Sequence, residues 1–126
     1  MKSESIQSEF NKLVDTVEEK WKTTYSAEEI EPSFLNVLNF VNQNLSSRDT
    51  LVQCFISLLH NPEWNGPVEL IEFCMFELRW PEVKQAAEEI VKHTQDIRER
   101  DFLRTISYAY SDDWDGIDFY LYYSKN

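Results

Sequence analysis

Glycine is scarce in this chain, and its scarcity limits the folds that are open to it. Only two glycines and four prolines occur among 126 residues. Because tight hairpin turns depend on glycine and proline, such a chain is poorly suited to the many turns of an all-β fold. Apolar residues make up 42% of the sequence, which is too high a fraction for a disordered chain. We therefore expect helices joined by short polar loops.

Apolar residues recur at helical spacing through most of the chain. The first predicted helix runs from Ser3 to Lys22, and the second begins near Pro32, a residue favoured in a first helical turn. The third follows Ser46 to Asp49, a variant of the capping box, and ends at His60-Asn61-Pro62. Later apolar stripes predict helices over residues 68–78, 83–91 and 97–110.

Two local features of the C-terminal half leave alternatives open. Either Asp96 or Thr94 can cap the helix predicted over 97–110. The last apolar run, Ile117 to Tyr123, alternates as a strand does. An isolated strand has no partner in this chain, so the sequence favours a short terminal helix.

These elements predict one all-α domain over residues 1–126, with about six or seven helices. The short connection around Ser46 favours an antiparallel hairpin, and the helices over 68–78 and 83–91 form a second predicted hairpin. Stacked hairpins of about thirty residues are typical of a short HEAT-like or armadillo-like solenoid. An irregular helical bundle is the alternative.

The charge balance is strongly acidic. The chain has twenty-three acidic and twelve basic residues, so its formal net charge is −11. Such a surface repels nucleic acids and anionic membranes and attracts a cationic partner. The N-terminus lacks the pattern of a secretory signal, and no apolar run approaches the ~20 residues of a membrane span. Cys54 and Cys74 lie in apolar runs and are expected to be buried, reduced thiols, which favours the cytoplasm.

Catalytic motifs are not found in the sequence. The chain has two histidines, His60 and His93, each near the end of a predicted helix, where an imidazole often interacts with the last carbonyls. If Gly116 is placed at the sixth position of a calcium loop, Ser111 and Tyr122 fall at the two ends, and neither suits the role. We therefore expect no enzymatic activity, no cofactor and no metal.

The C-terminal region instead combines acids with aromatic rings. Residues 108–123 contain four aspartates and no lysine or arginine. Aromatic side chains dominate interface hot spots, and adjacent acids pair with cations of a partner. The alternative is that half of the rings are core and that the acids form a solvated edge. The candidate partner-binding residues are Asp112, Asp113, Trp114, Asp115, Asp118, Tyr120, Tyr122 and Tyr123.

A second candidate surface lies around the helix predicted over 68–78. Glu69 and Glu72 are three residues apart and therefore neighbours on one helical face, and Trp64 precedes them in a loop. Glu69, Glu72 and Trp64 are further candidate partner-binding residues. The alternative is that the two glutamates form the ordinary polar side of a helix.

The stretch from Val68 to Val83 resembles a pattern in small helical immunity proteins of bacterial polymorphic-toxin systems. Asp112-Asp113-Trp114 and the tyrosine-rich tail are similar to the same group, which includes the antidotes of contact-dependent growth inhibition. The resemblance covers about the second half of the chain. Some members of this group have HEAT-like helical folds, and the resemblance implies a role in binding one cognate toxin domain and blocking its active site.

Charge and resemblance together lead to one functional expectation. A nuclease toxin needs a basic surface to hold phosphates, and an acidic protein with aromatic anchors can compete for that surface. We expect a cytoplasmic immunity protein whose partner is a basic nuclease domain and not a nucleic acid or a membrane. A helical-repeat adaptor or regulatory subunit that binds another cellular protein is the alternative. The sequence does not predict an oligomeric state.

Overall fold

The structure is a computed structural model that describes residues 3–24, 26–60 and 66–124. Its described residues form seven α-helices, three short 3₁₀ helices and no strand, so the predicted all-α class is confirmed. The α-helices are α1 (Ser3–Thr23), α2 (Ala27–Gln43), α3 (Arg48–Leu58), α4 (Gly66–Leu78), α5 (Pro81–His93), α6 (Ile97–Arg104) and α7 (Leu121–Ser124). The 3₁₀ helices are Leu45–Ser47, Thr105–Tyr110 and Asp115–Asp118.

The chain divides into two compact units. The first comprises residues 1–54 and 115–126, and the second comprises residues 55–114. The chain leaves the first unit within α3 and returns to it after Trp114. The assignment of residues 1–126 to one domain stays a prediction.

In the first unit, α1 packs against α2. The apolar stripe of α1 is buried as its spacing predicts, and the bounds of α1 differ by one residue from the predicted helix. On α2 the buried face includes Phe34, Val37, Leu38 and Val41. Burial of apolar side chains contributes roughly 25 cal/mol per Å², so these two stripes are a main source of stability for this unit.

The start of α2 corrects the prediction made from Pro32. The side chain of Ser26 accepts a hydrogen bond from the backbone N–H of Glu29 at 3.2 Å, so α2 begins at Ala27. Pro32 lies inside the helix and not in its first turn. Ser26 and Glu29 have the spacing of a capping box, and this local start signal outweighs the proline.

The C-terminal segment belongs to the first unit and is helical. Residues Asp115–Asp118 form a 3₁₀ helix, and α7 follows after a turn. The predicted short terminal helix is therefore confirmed for the last part of the run from Ile117 to Tyr123. A 3₁₀ helix supplies its first part.

In the second unit, α5 packs against α6, and α4 packs against the 3₁₀ helix Thr105–Tyr110. These close pairings differ from the predicted hairpin of the helices over 68–78 and 83–91. The single helix predicted over residues 97–110 is α6 continued by that 3₁₀ helix. Six consecutive residues of α4, from Leu70 to Met75, are buried, which fits a helix that is apolar on nearly every side.

The cap of α6 is Asp96. Its carboxylate accepts hydrogen bonds from the backbone N–H groups of Arg98 and Glu99 at 2.9 and 3.3 Å. Thr94, the other candidate, accepts from the N–H of Asp96 at 3.1 Å and so supports the capping residue from outside the helix. The structure thereby decides between two caps that the sequence left open.

Candidate protein-binding surface

The predicted acidic and aromatic segment is continuous in sequence but is divided between the two units. Asp112, Asp113 and Trp114 belong to the second unit, and residues from Asp115 onward belong to the first. Of the other candidates, Glu69 and Glu72 belong to the second unit. Trp64 lies outside the described residues.

Tyr120 anchors the C-terminal segment within the first unit. Its side chain is only 5% exposed, and its ring centroid lies 5.9 Å from that of Phe34 on α2, at an interplanar angle of 48°. A tilted pair at this separation is a favourable aromatic arrangement. Tyr120 was predicted to contact a partner, and the structure places its ring in the core.

Glu31 fixes the backbone that follows Tyr120. This buried glutamate of α2 accepts hydrogen bonds from the N–H of Leu121 at 2.9 Å and from the N–H of Tyr122 at 2.7 Å. These two groups lie at the start of α7, where N–H groups lack partners within the helix. A carboxylate is well suited to them, because charge-assisted hydrogen bonds are stronger than neutral ones.

Sequence reasoning missed Glu31, although a signal was present. Glu31 stands three residues before Phe34 and seven before Leu38, so it lies on the apolar stripe of α2. An acidic residue on a buried stripe needs hydrogen-bond donors, because an unpaired buried charge is costly. The sequence does not show which donors would meet it.

The anchored segment presents apolar side chains to solvent. Phe119 is 66% exposed and Leu121 is 61% exposed, on either side of the buried Tyr120. Tyr122 is also exposed, and its ring lies edge-on to that of the half-buried Tyr123, with centroids 4.9 Å apart. Exposed apolar side chains mark an interaction site where they form a contiguous patch, and these residues are close neighbours in the chain.

Two exposed aspartates precede these apolar side chains in the chain. Asp115 and Asp118 lie on the 3₁₀ helix just before Phe119. We call the exposed set the C-terminal surface, and it consists of Asp115, Asp118, Phe119, Leu121 and Tyr122. Phe119 and Leu121 were not among the candidates from sequence, because the alternation in this run did not show which side faced the core.

In the second unit, Asp112 has a partner within the chain. Its carboxylate lies 2.7 Å from the guanidinium of Arg79, in an exposed pair. The same guanidinium lies over the ring of Phe76, 5.4 Å from its centroid. The ring of Phe76 packs at 5.2 Å against that of Trp114, which is only 8% exposed. Trp114 therefore packs within this unit, while Asp112 stays exposed and forms an ion pair at its surface.

Asp113, the remaining acid of this group, is exposed. Its backbone N–H donates to the hydroxyl of Ser111 at 3.2 Å, so the turn is held by a side chain of its own loop. Asp113 is thus exposed, whereas the next residue, Trp114, is buried.

Glu72 lies in the interior of the second unit. It is 6% exposed, and burial raises the pKa of its carboxyl from 4.5 to about 8, with a smaller contribution from the nearby Glu69. A hydrogen bond with the side chain of Thr105 partly offsets the increase in this pKa. Burial also raises the pKa of Glu69. Glu72 was predicted to bind a partner at the surface, whereas the structure buries it.

The thiols of Cys54 and Cys74 are free and buried, as predicted. Burial raises the pKa of both, and so disfavours the reactive thiolate. Within residues 3–24, 26–60 and 66–124, no three acidic, histidine or cysteine side chains cluster as metal ligands would. The same residues include no helix of the length and apolar character needed to cross a membrane.

Comparisons of the chain with protein-family models, with curated proteins and with solved structures gave no match.

Proposed function

We propose that this chain is an immunity protein that binds and neutralises a cognate toxin domain, a basic nuclease, in the cytoplasm. The observation that carries the proposal is the C-terminal surface, where Phe119 and Leu121 are exposed beside Asp115 and Asp118. The resemblance of residues 68–83 to helical immunity proteins supports the same role.

The anchoring of this surface favours tight binding. Glu31 holds the N–H groups of Leu121 and Tyr122, and Tyr120 is packed against Phe34. Association orders mobile side chains and loops at a cost, and a backbone that is already fixed avoids part of that cost. Exposed apolar side chains on such a backbone can serve as anchors that leave water when a partner binds.

Charge favours a cationic partner. Two exposed aspartates directly precede the apolar side chains in the chain, and the whole chain has a net charge of −11. A nuclease domain needs positive potential to hold its substrate phosphates, so an acidic protein competes for the same surface. Complementary potentials raise the association rate, while buried apolar contacts mainly slow dissociation.

The test is binding to a catalytically inactive form of the toxin domain encoded beside this chain. Two double variants separate the contribution of charge from that of apolar contact. The charge variant combines Asp115→Asn with Asp118→Asn, and the apolar variant combines Phe119→Ser with Leu121→Ser. The charge-matched control is Glu4→Gln with Asp15→Asn, two exposed acids of α1.

We expect the aspartate variant to slow association several-fold more than the control does, and to weaken its dependence on salt. The apolar variant should dissociate at least tenfold faster, which corresponds to about 1.4 kcal/mol. Absence of a complex with the wild-type chain at low salt would reject the immunity role. A complex whose rates are the same in all variants would instead reject the C-terminal surface as its binding site.

A further inference from the structure

The second unit contains a groove of about 280 Å³ between α5 and the end of α6 with the residues that follow it. Its floor is apolar, since Ala87 and Leu103 are buried and Val91 is half-buried. This volume is slightly below the range of about 300 to 1,000 Å³ that is usual for ligand sites, so the groove has room only for a small molecule.

The rim of the groove is cationic, although the chain as a whole is acidic. Lys84 and Lys92 lie eight residues apart on one face of α5, and Arg104 lines the groove from the end of α6. In the described part of the chain, no carboxylate lies within 4 Å of the charged group of any of the three. No carboxylate of the described residues therefore neutralises these cations by an ion pair.

One acid also lines the groove. Glu88 is placed midway between Lys84 and Lys92 on α5, so the lining as a whole has a net charge of +2. The negative charge of Glu88 repels an anionic group placed near it. Salt screens this repulsion only partly, because the Debye length is about 8 Å at physiological salt. The net charge of +2 complements an anion of charge −2.

The hydroxyl of Ser107, also in the lining, donates to the carbonyl of Arg104 at 2.9 Å. Lys84 extends over the ring of Tyr110, with its Nζ 5.6 Å from the ring centroid. Because the hydroxyl proton of Ser107 is donated within the chain, an anionic ligand would be bound mainly by the cationic side chains.

The geometry points to a binding site for a small organic phosphate monoester with a compact apolar body. Such a phosphate has a charge of about −1.5 to −2 at pH 7, which complements the net charge of the lining. The apolar body contacts the floor formed by Ala87, Val91 and Leu103, and Arg104 holds the phosphate with the help of a lysine of the rim. A guanidinium is well suited to phosphate because its donors match the oxygens in pairs. This site is independent of the proposed toxin binding.

The test is a titration of the full chain with phenyl phosphate, followed by the amide resonances of residues 84–107. Inorganic phosphate and benzoate are the comparison probes, and both should bind at least tenfold more weakly, because one lacks the apolar body and the other the double charge. The variant Arg104→Gln should weaken binding of phenyl phosphate at least fivefold. The matched control is Arg98→Gln, an exposed arginine of α6 outside the groove, and it should leave the affinity unchanged.

Dispersed amide resonances of Arg104→Gln without ligand will show that this variant is folded. Three outcomes would overturn the proposal. These are no shift at millimolar phenyl phosphate, equal weakening in the two arginine variants, and equal binding of any comparison probe.

Discussion

Glu31 on α2 and Tyr122 on α7 are joined by a hydrogen bond of 2.7 Å, although 91 residues separate them in sequence. The second carboxylate oxygen accepts from the neighbouring N–H of Leu121. One buried side chain thus satisfies two N–H groups at the start of a four-residue helix. A helix this short is not stable alone, so its position depends on that contact and on the packing of Tyr120.

Replacing Glu31 with Gln should release α7. The amide retains one acceptor oxygen, and its NH₂ group cannot accept from the second N–H. Hydrogen bonds to charged groups contribute about 1.5–3 kcal/mol, so we expect a loss of about 2 kcal/mol in the free energy of unfolding. Hydrogen exchange should accelerate at the amides of Leu121 and Tyr122. Glu28→Gln, at an exposed position of the same helix, is the control. Equal exchange at both amides in the two variants would contradict the role of Glu31.

Glu72 should make the stability of the chain depend on pH. Its pKa is about 8 in the folded chain, against 4.5 for an ordinary glutamate, so the folded state keeps a proton that the unfolded chain releases between these values. The stabilisation is fully present below pH 4.5, declines as the pH rises, and is lost above pH 8. Neutral Gln at this position should remove the decline.

We therefore expect Glu72→Gln to become more stable relative to the wild type, in free energy of unfolding, as the pH rises from 5 to 8. Each unit of pKa shift corresponds to about 1.4 kcal/mol, and a total change on the order of 3 kcal/mol is expected. Urea unfolding at several pH values measures it. Asp101→Asn, at an exposed position of α6, should follow the wild-type pH profile. A Glu72→Gln profile parallel to the wild type would show that this carboxyl titrates normally.

Arg79 occupies a backbone conformation that favours glycine. Its φ is 51°, in the left-handed region, directly after the end of α4. Residues with a Cβ enter this region at a cost of about 1 kcal/mol. Arg79→Gly and Arg79→Ala both remove the contacts with Asp112 and Phe76, so their difference isolates the backbone. Arg79→Gly should be the more stable of the two by about 1 kcal/mol in urea unfolding. An alanine variant of equal or greater stability would contradict this account.

Asp96 should contribute more to α6 than its neighbour Gln95. Its carboxylate caps two N–H groups of the first turn, while Gln95 is exposed and makes no capping contact. Loss of such a cap costs about 1 kcal/mol, so Asp96→Ala should lower the free energy of unfolding by that amount. Gln95→Ala should change it by less than half as much. Thermal unfolding followed by circular dichroism distinguishes the two, and similar values would show that the cap contributes little.

The positions of the helices were well predicted because their signals are local. The stripe of α1 predicted Ser3 to Lys22, and the helix ends at Thr23. The error at Pro32 arose from overlooking a capping sequence that begins at Ser26, so the sequence held the correct answer. The pairing of α5 with α6 was not predicted, because periodicity shows which face of a helix is apolar but not which segment covers it.

The candidate surface was only partly predictable for the same reason. Tyr120 was proposed as a contact and is buried, whereas Phe119 and Leu121 beside it are exposed. Asp115 and Asp118 were proposed and are exposed at the surface. Composition located the region, but only packing against α2 determined which side chains of an alternating run face outward.

The sequence by itself determined the helical class, the acidity and most helix ends, since these follow from local spacing, side-chain charge and capping groups. Tertiary structure decided the environment of each acid. Glu31 is buried against the N–H groups of α7, Glu72 is buried with a raised pKa, and Asp118 is exposed. A carboxyl group is stable in the interior only where other segments supply hydrogen-bond donors or where it keeps its proton. The spacing of residues along the sequence shows neither condition.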